Sequence, residues 1–522
     1  MSPAAGGWLL AAAVTVIAAA AGVTHAIVVA GEPGFPLDDA WIHVRLAQHA
    51  AAGDGLHFNL GQPGATATAP LWSLLLAVAD RIGLGTPWAS YACGVGASLL
   101  LAWSAGRFVS RAVGDPAAGA ATALLLVSTH PFPWLSISGM EATLAAALTI
   151  LTIEAASTAR TGMAFFLAAL AAATRPELLI LPPLIVIATA FRKWNQASFV
   201  LLALGAAAAC AAPFALNRVT AGAWLAGSLS AKVGQHGVLA ALVAGSPRSI
   251  PGIVTTNVPA YARVAGQALW ADNGLLLALA LPGVILLARR GAYLLLIALV
   301  ALPVAMATLA PFGGADFHEQ RYLAPLAALV FLSGCAALGA AAVRAGRGLL
   351  ILGTLAALAL SGYGSWRALE RYAVEVKNIT EMQVAVARFL ASTREGPGLV
   401  ATNDIGAIGA LTSAPILDLT GLASPEIIPY LRQKPEAGRH NLGWNGANEA
   451  ALLTALRERR PNFVALFPSW YPSPEFQRPL GEPVFRVDLK DNLICGDRTM
   501  LVFKPDWGPL AAPPAAAPGP RP

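Results

Sequence analysis

The sequence predicts an α-helical polytopic membrane protein, with about eleven transmembrane helices in residues 1–366 and a soluble α/β domain in residues 367–507. Three observations carry this expectation. The 522 residues are 56% hydrophobic and only 12% charged, about half the charge of an ordinary soluble domain. The charge is unevenly placed: residues 1–366 hold 17 Lys/Arg and 12 Asp/Glu, whereas residues 367–508 hold 16 of each. Apolar runs long enough to span a bilayer recur through the first part and are absent from the second. This pattern excludes a soluble enzyme, a disordered chain and a nucleic-acid binder. The formal charge of +6 says less than its placement.

In chain order, the spanning candidates are 8–30, 88–106, 117–137, 140–159, 197–216, 273–288, 291–310, 322–343 and 348–366. Two shorter runs, 162–174 and 178–191, form a hairpin around Arg175-Pro176-Glu177. The first run lacks the positive leader of a signal peptide and is read as a retained helix. The stretch 70–82 is too short to cross and carries Asp80 and Arg81, so it is read as an interfacial or re-entrant helix. With the N-terminus inside, the inner connections collect nine basic residues against one acid, Asp115, as the positive-inside rule requires. Counting 70–82 as a crossing would move Arg107 and Arg111 to the other side. The expected location is the bacterial inner (cytoplasmic) membrane. The long loops 31–87 and 217–272, the loop 311–321 and the C-terminal domain then all face the extracytoplasmic side.

Past the last span, Asn378–Thr393 reads as an amphipathic helix. Strand-like segments follow at 399–404, 415–419, 462–467, 484–489 and 499–503, with a helix start at 405–410 and a helix over 448–459 between them. Strands alternating with helices indicate a small α/β domain, read as an acceptor-binding or lid domain. Residues 508–522 are Pro/Ala-rich and expected to be disordered. Cys93, Cys210, Cys335 and Cys495 are scattered, with no spacing that suggests a disulfide or zinc.

The chemistry concentrates at the loop edges. Pro36-Leu37-Asp38-Asp39 starts a helix that runs to Ala52, with carboxylates at the end its dipole favours. Glu141 follows Ser138-Gly139-Met140 at the mouth of the fourth crossing, and Arg175 and Glu177 sit at the hairpin tip. Ionisable groups at membrane depth are costly and default to a functional role. Lys232 and Arg321 are cations beside the membrane, suited to an anionic head group through charge-assisted hydrogen bonds. Glu154, inside the fourth crossing, is the one candidate acid near the midplane.

These residues form a familiar pattern. The segments Leu37-Asp38-Asp39-Ala40-Trp41-Ile42-His43-Val44-Arg45, Gly53-Asp54-Gly55-Leu56-His57-Phe58-Asn59 and Thr68-Ala69-Pro70-Leu71-Trp72 resemble the first periplasmic loop of GT-C-type glycosyltransferases. The likeness is greatest to the branch of mycobacterial terminal arabinofuranosyltransferases and their bacterial relatives. Ser138-Gly139-Met140-Glu141, Arg175-Pro176-Glu177, Arg321-Tyr322, Asn403-Asp404-Ile405-Gly406 and Asp418-Leu419-Thr420-Gly421-Leu422 extend it over about 35–430. Two departures are Ala69, where the family pattern has Ser, and Gly227-Ser228-Leu229-Ser230, where it has Asn-Thr before the lysine.

The resemblance implies a GT-C-like domain that transfers sugar from a polyprenyl-phosphate donor to a cell-envelope glycan or lipid. A first-loop aspartate would act as general base, Asp38 by motif position and Asp39 second. Arg175, Lys232 and Arg321 would stabilise the leaving phosphate, and a direct displacement would invert the anomeric centre. Glu141 would orient the acceptor or hold a divalent metal. His43, Arg45, Asn59, Glu177 and Tyr322 complete the candidate substrate contacts. The competing reading, a transporter or flippase of a lipid-linked saccharide, would place polar residues near the midplane.

Overall fold

The computed structural model describes residues 3–62, 68–190, 196–227, 237–243, 245–309, 314–431 and 449–508. Lys232, the Ser228-Leu229-Ser230 segment and the tail beyond residue 508 lie outside the described residues. The membrane part is a bundle of α1 (Pro3–Ala30), α2 (Asp38–Ala52), α3 (Pro70–Arg81), α4 (Trp88–Val113), α5 (Pro116–Ser128), α6 (Ala142–Ser157) and α7 (Thr161–Thr174). It continues with α8 (Leu181–Ala190), α9 (Gln196–Ala221), α10 (Gly237–Val243), α11 (Ile250–Arg289), α12 (Tyr293–Leu309), α13 (Ala324–Ala345) and α14 (Arg347–Ile379). Among the described residues, six helices are long and apolar enough to cross a membrane and five more are apolar but shorter.

Local chemistry accounts for several boundaries. Asp115 caps α5 by accepting from the Ala117 amide at 3.0 Å, with Pro116 in the first turn, where its missing N–H costs nothing. The stretches read as spans 117–137 and 140–159 are helical only over α5 and α6, apart from one short turn, Phe132–Leu135. Residues 129–141 are therefore the connection between those helices, at one end of the bundle. Much of the expected loop 217–272 is instead the start of α11, which breaks at Asn273. There the Asn273 side chain donates to the Ala357 carbonyl and Ser361, and accepts from the Leu276 amide, so the freed backbone is re-satisfied.

α14 runs on through a π turn (Thr380–Val384) into α15 (Ala385–Ala391), so the last apolar helix and the expected amphipathic helix are continuous. The C-terminal sheet contains β1 (Val400–Thr402), β2 (Ile416–Asp418), β3 (Phe463–Leu466), β4 (Pro483–Asp488) and β5 (Thr499–Phe503), in the order β2-β1-β3-β5-β4. β1 is parallel to β2 and β3, and β5 is antiparallel to β3 and β4. Alternate residues divide between two cores, as the strand period demands. Ala401, Val464 and Leu501 pack with Leu452 and Leu456 of α17 (Glu449–Arg459), which follows α16 (Gly406–Thr412).

The opposite face positions the site. Val400, Ile416, Phe463 and Met500 share a core with Leu46, Leu56 and Phe58 of the first loop and with Val386 and Leu390 of α15. Ala407 and Ala410 of α16 join the core of the bundle itself. The first loop is thus packed between bundle and sheet.

Candidate active site

Asp38 and Asp39 are neighbours in the first turn of α2 and point to different partners. Asp38 accepts from the Gly406 amide at 2.7 Å and from the Ala407 amide at 2.8 Å, at the start of α16. A Cβ on Gly406 would collide with the Asp38 backbone, so only glycine lets the two segments meet. Burial pushes the Asp38 carboxyl up to about 6, against the two amides that favour its charge, and Asp39 and Asp418 add to the rise. Asp39 keeps 42% of its side chain exposed and pairs with Arg321 at 2.7 Å.

Arg321 is the centre of a chain of contacts. Its Nη2 donates to the Tyr322 hydroxyl at 3.0 Å, and both Arg321 and Arg175 lie over the Tyr322 ring, at 4.9 and 4.7 Å. Arg175, at the turn after α7, donates to Glu141 at 2.8 Å and to Glu177 at 2.5 Å. His43 of α2 stands 3.6 Å from the other Glu141 oxygen and 3.0 Å from the Ser73 hydroxyl of α3. Burial works against the Glu141 charge, but His43, Arg175 and Arg321 outweigh it and hold the carboxyl at about 2. Burial likewise opposes the Arg321 charge, and its anionic neighbours raise its pKa above the ordinary range.

The connection 129–141 brings Glu141 to this place. Gly139 adopts φ +78°, and a Cβ there would lie 2.8 Å from both Ala40 and Phe35. Trp72 of α3 donates to the Gly139 carbonyl at 2.9 Å. Glycine is required both for its left-handed conformation and for the close approach to α2.

The structure therefore gathers Asp39, His43, Glu141, Arg175, Glu177, Arg321 and Tyr322. It puts Arg45 and Asn59 to another use. The Arg45 guanidinium donates to the carbonyls of Phe58 at 2.5 Å, Ala414 at 2.7 Å and Gly409. Asn59 donates to the Ile416 carbonyl at 2.8 Å and accepts its amide at 2.9 Å, pairing with β2 as a short strand would. Both side chains fasten the first loop to the sheet domain. Glu154, far along α6 from Glu141, is held by Arg107 at 2.5 Å and Arg111 at 2.6 Å.

Two features of the site have chemical consequences. Arg321 is 4% exposed, yet its Nε and Nη1 have no hydrogen-bond partner, and neither does Glu141 Oε2. Buried donors of a guanidinium are normally satisfied, and the two unused here are on different edges of the plane, each able to make a charge-assisted hydrogen bond to a phosphate or carboxylate oxygen. A metal fits the donor set poorly: one Glu141 oxygen is held by Arg175, and among the described residues no three His, Cys, Asp or Glu side chains converge as ligands.

A second polar group lies beside the first and was not legible as a site in the sequence. His130, just past α5, contacts Asp272 at 2.8 Å and Glu319 at 3.0 Å. Glu319 also pairs with Arg371 of α14 at 2.7 Å, and Trp134 donates to Glu375 at 2.9 Å. Residues His318, Glu319 and Gln320 have φ of 48°, 51° and 60°, a left-handed run that costs roughly 1–2 kcal/mol per residue. It leads directly into Arg321.

The chain shares its fold with solved membrane proteins at low identity. It matches the archaeal oligosaccharyltransferase AglB from Archaeoglobus fulgidus, in complex with an inhibitory peptide and a dolichol-phosphate, at TM-score 0.55 and 15% identity over 88% of this chain and 69% of that one. It matches ArnT from Cupriavidus metallidurans bound to undecaprenyl phosphate at TM-score 0.54 and 13% identity, covering 95% of this chain and 97% of that one. The apo state of ArnT gives TM-score 0.55 at 14% identity, with 96% and 98% covered. These likenesses show the GT-C-type fold and do not single out the arabinofuranosyltransferase branch. Residues 376–507 match a domain family of unknown function, DUF8728. No curated protein sequence matches significantly.

Proposed function

We propose that this chain is a membrane glycosyltransferase that moves a sugar from a polyprenyl-phosphate donor to a cell-envelope glycan or lipid on the extracytoplasmic face. The single observation that carries the reading is Arg321: a buried guanidinium with two unpartnered donors, 2.7 Å from a half-exposed aspartate, on a fold shared with proteins solved with dolichol-phosphate and undecaprenyl phosphate.

Asp39, rather than Asp38, is the general base in this reading. Both Asp38 oxygens are occupied by backbone amides, whereas the Asp39 partner, Arg321, has a competing role. When the donor phosphate meets an unpartnered donor of Arg321, the guanidinium turns its charge to the phosphate and releases Asp39. Asp39 then takes the proton of the acceptor hydroxyl as that oxygen attacks the anomeric carbon. The carbon–oxygen bond to phosphate breaks, and polyprenyl phosphate leaves with the electron pair. Arg321 and Arg175 stabilise the charge that develops there. One displacement inverts the anomeric centre. Glu141 and Glu177 hold Arg175 in place, and His43 orients Glu141. The sheet domain supplies the acceptor side.

Membranes carrying the chain and a panel of radiolabelled polyprenyl-phosphate sugars, with a cell-envelope extract as acceptor, test this. Label should enter polymer or lipid with the native chain and fall at least ~10²-fold with Asp39→Asn, the typical worth of a general base. Transfer by Asp39→Asn at the native rate overturns the assignment. Label that crosses vesicle bilayers without being transferred would make the protein a transporter.

A further inference from the structure

We propose that His130 is a positioning residue for Arg321: an imidazolium bridging Asp272 and Glu319 pins the left-handed turn 318–320, and that turn aims the guanidinium at the donor phosphate. The proposal rests on the reading of Arg321 given above.

The bridge follows from the hydrogen-bond inventory. His130 Nδ1 meets Asp272 Oδ1 at 2.8 Å and Nε2 meets Glu319 Oε2 at 3.0 Å. Gln320 Nε2 also lies 3.2 Å from Nδ1, but at the same distance it has Asp272 Oδ1 to donate to. Ionised carboxylates only accept, so a ring that serves both carries a proton on each nitrogen and is charged. A neutral ring could satisfy one carboxylate and would leave the other buried beside a lone pair. The His130 and Asp272 side chains are each 6% exposed, and that of Glu319 is 10% exposed.

Four elements meet here. His130 follows α5, and Asp272 stands at the break in α11, next to Asn273. Glu319 and Gln320 belong to the turn, and Arg371 and Glu375 come from α14. Gln320 Nε2 donates to Asp272 Oδ1 at 3.2 Å, and Arg371 donates to Glu319 at 2.7 Å. The side-chain ties of Glu319 and Gln320 thus reach to other elements of the bundle. Neither Glu319 nor Gln320 is of a type that adopts positive φ readily. A run of this kind persists only where its surroundings over-determine it. Its last residue is bonded directly to Arg321.

The groups facing the ring are Asp272 on α11, Glu319 on the turn, and Arg371 and Glu375 on α14. Burial pushes the imidazole down, the two carboxylates outweigh it, and its pKa stands at about 9. The imidazolium is therefore retained through neutral pH and lost as pH rises through about 9.

The test uses the full chain in detergent with undecaprenyl phosphate as probe, its affinity measured from pH 7.5 to 10. The native chain should bind with constant affinity to about pH 8 and lose about tenfold as pH passes 9. His130→Asn should bind about tenfold more weakly at pH 7.5 and show no step. His130→Arg, which keeps a cation with several donors, should bind well and remain flat to pH 10. If His130→Asn fails to fold, as judged by size-exclusion chromatography, the step in the native chain and its removal by Glu319→Gln decide. Native affinity and an intact step in His130→Asn, or no step in the native chain, overturn the proposal. Undecaprenyl phosphate binding that survives Arg321→Ala unchanged overturns the phosphate role of Arg321 instead. No binding by the native chain removes both.

Discussion

Asp38 holds the start of α16 by both carboxylate oxygens, one on the Gly406 amide and one on the Ala407 amide. A first-loop residue therefore fixes a C-terminal-domain element more than three hundred and sixty positions away. Asp38→Ala removes an acceptor pair from two amides and should cost about 1–3 kcal/mol of stability. Asp38→Asn keeps one acceptor and should cost less. Thermal unfolding in detergent checks the order, and sugar transfer per folded molecule by Asp38→Asn should stay within about tenfold of native. A loss as deep as that of Asp39→Asn would assign the base to Asp38.

Arg45 donates to three backbone carbonyls across the same junction. Arg45→Ala leaves buried carbonyls without donors and should cost about 3 kcal/mol or more. Arg45→Lys should not restore this, since one ammonium does not reproduce the planar fork. Limited proteolysis of the loop and sheet domain, together with unfolding temperature, reads the effect. Unchanged protection in both variants would show that the fastening lies elsewhere.

Glu141 gives a signed pH prediction. Its folded pKa of about 2 lies below the ordinary 4.5. It therefore contributes stability that is fully present above pH 4.5 and lost as pH falls from there through about 2. At roughly 1.4 kcal/mol per unit the loss is about 3 kcal/mol. Acid unfolding of Glu141→Gln should be correspondingly shallower in that window. An acid limb identical to native would disprove the contribution.

Gly139→Ala tests how the loop delivers Glu141. The added methyl meets Ala40 and Phe35 at 2.8 Å in a left-handed conformation, so either α2 or the loop must move. We expect a loss of about 2 kcal/mol and a fall in transfer of tenfold or more. Activity at the native level in a destabilised variant would separate the fold role of Gly139 from the site.

How much of this was legible in the sequence differs by element. α2 and α3 were readable because Asp38 and Asp39 mark the start of one and Pro70 that of the other. The five strands were readable as short strand-like segments alternating with helices. The meeting of Asp39 with Arg321, or of Glu141 with Arg175, is not a spacing property; those residues came forward one by one, as ionisable groups at the loop edges and in short motifs. Arg45 and Asn59 looked like substrate contacts because their backbone partners in the sheet domain lie 357 to 369 positions away. The turn 318–320 was invisible because it contains no glycine. His130 was hidden because an apolar run concealed the end of α5.

The uninterrupted course of α14 through the π turn into α15 has a mechanical meaning. A flexible tether would let the sheet domain sway above the bilayer, but a rigid rod transmits torque and fixes standoff. The standing height of the sheet is therefore braced twice, by the helix beneath it and by the first loop wedged between sheet and bundle.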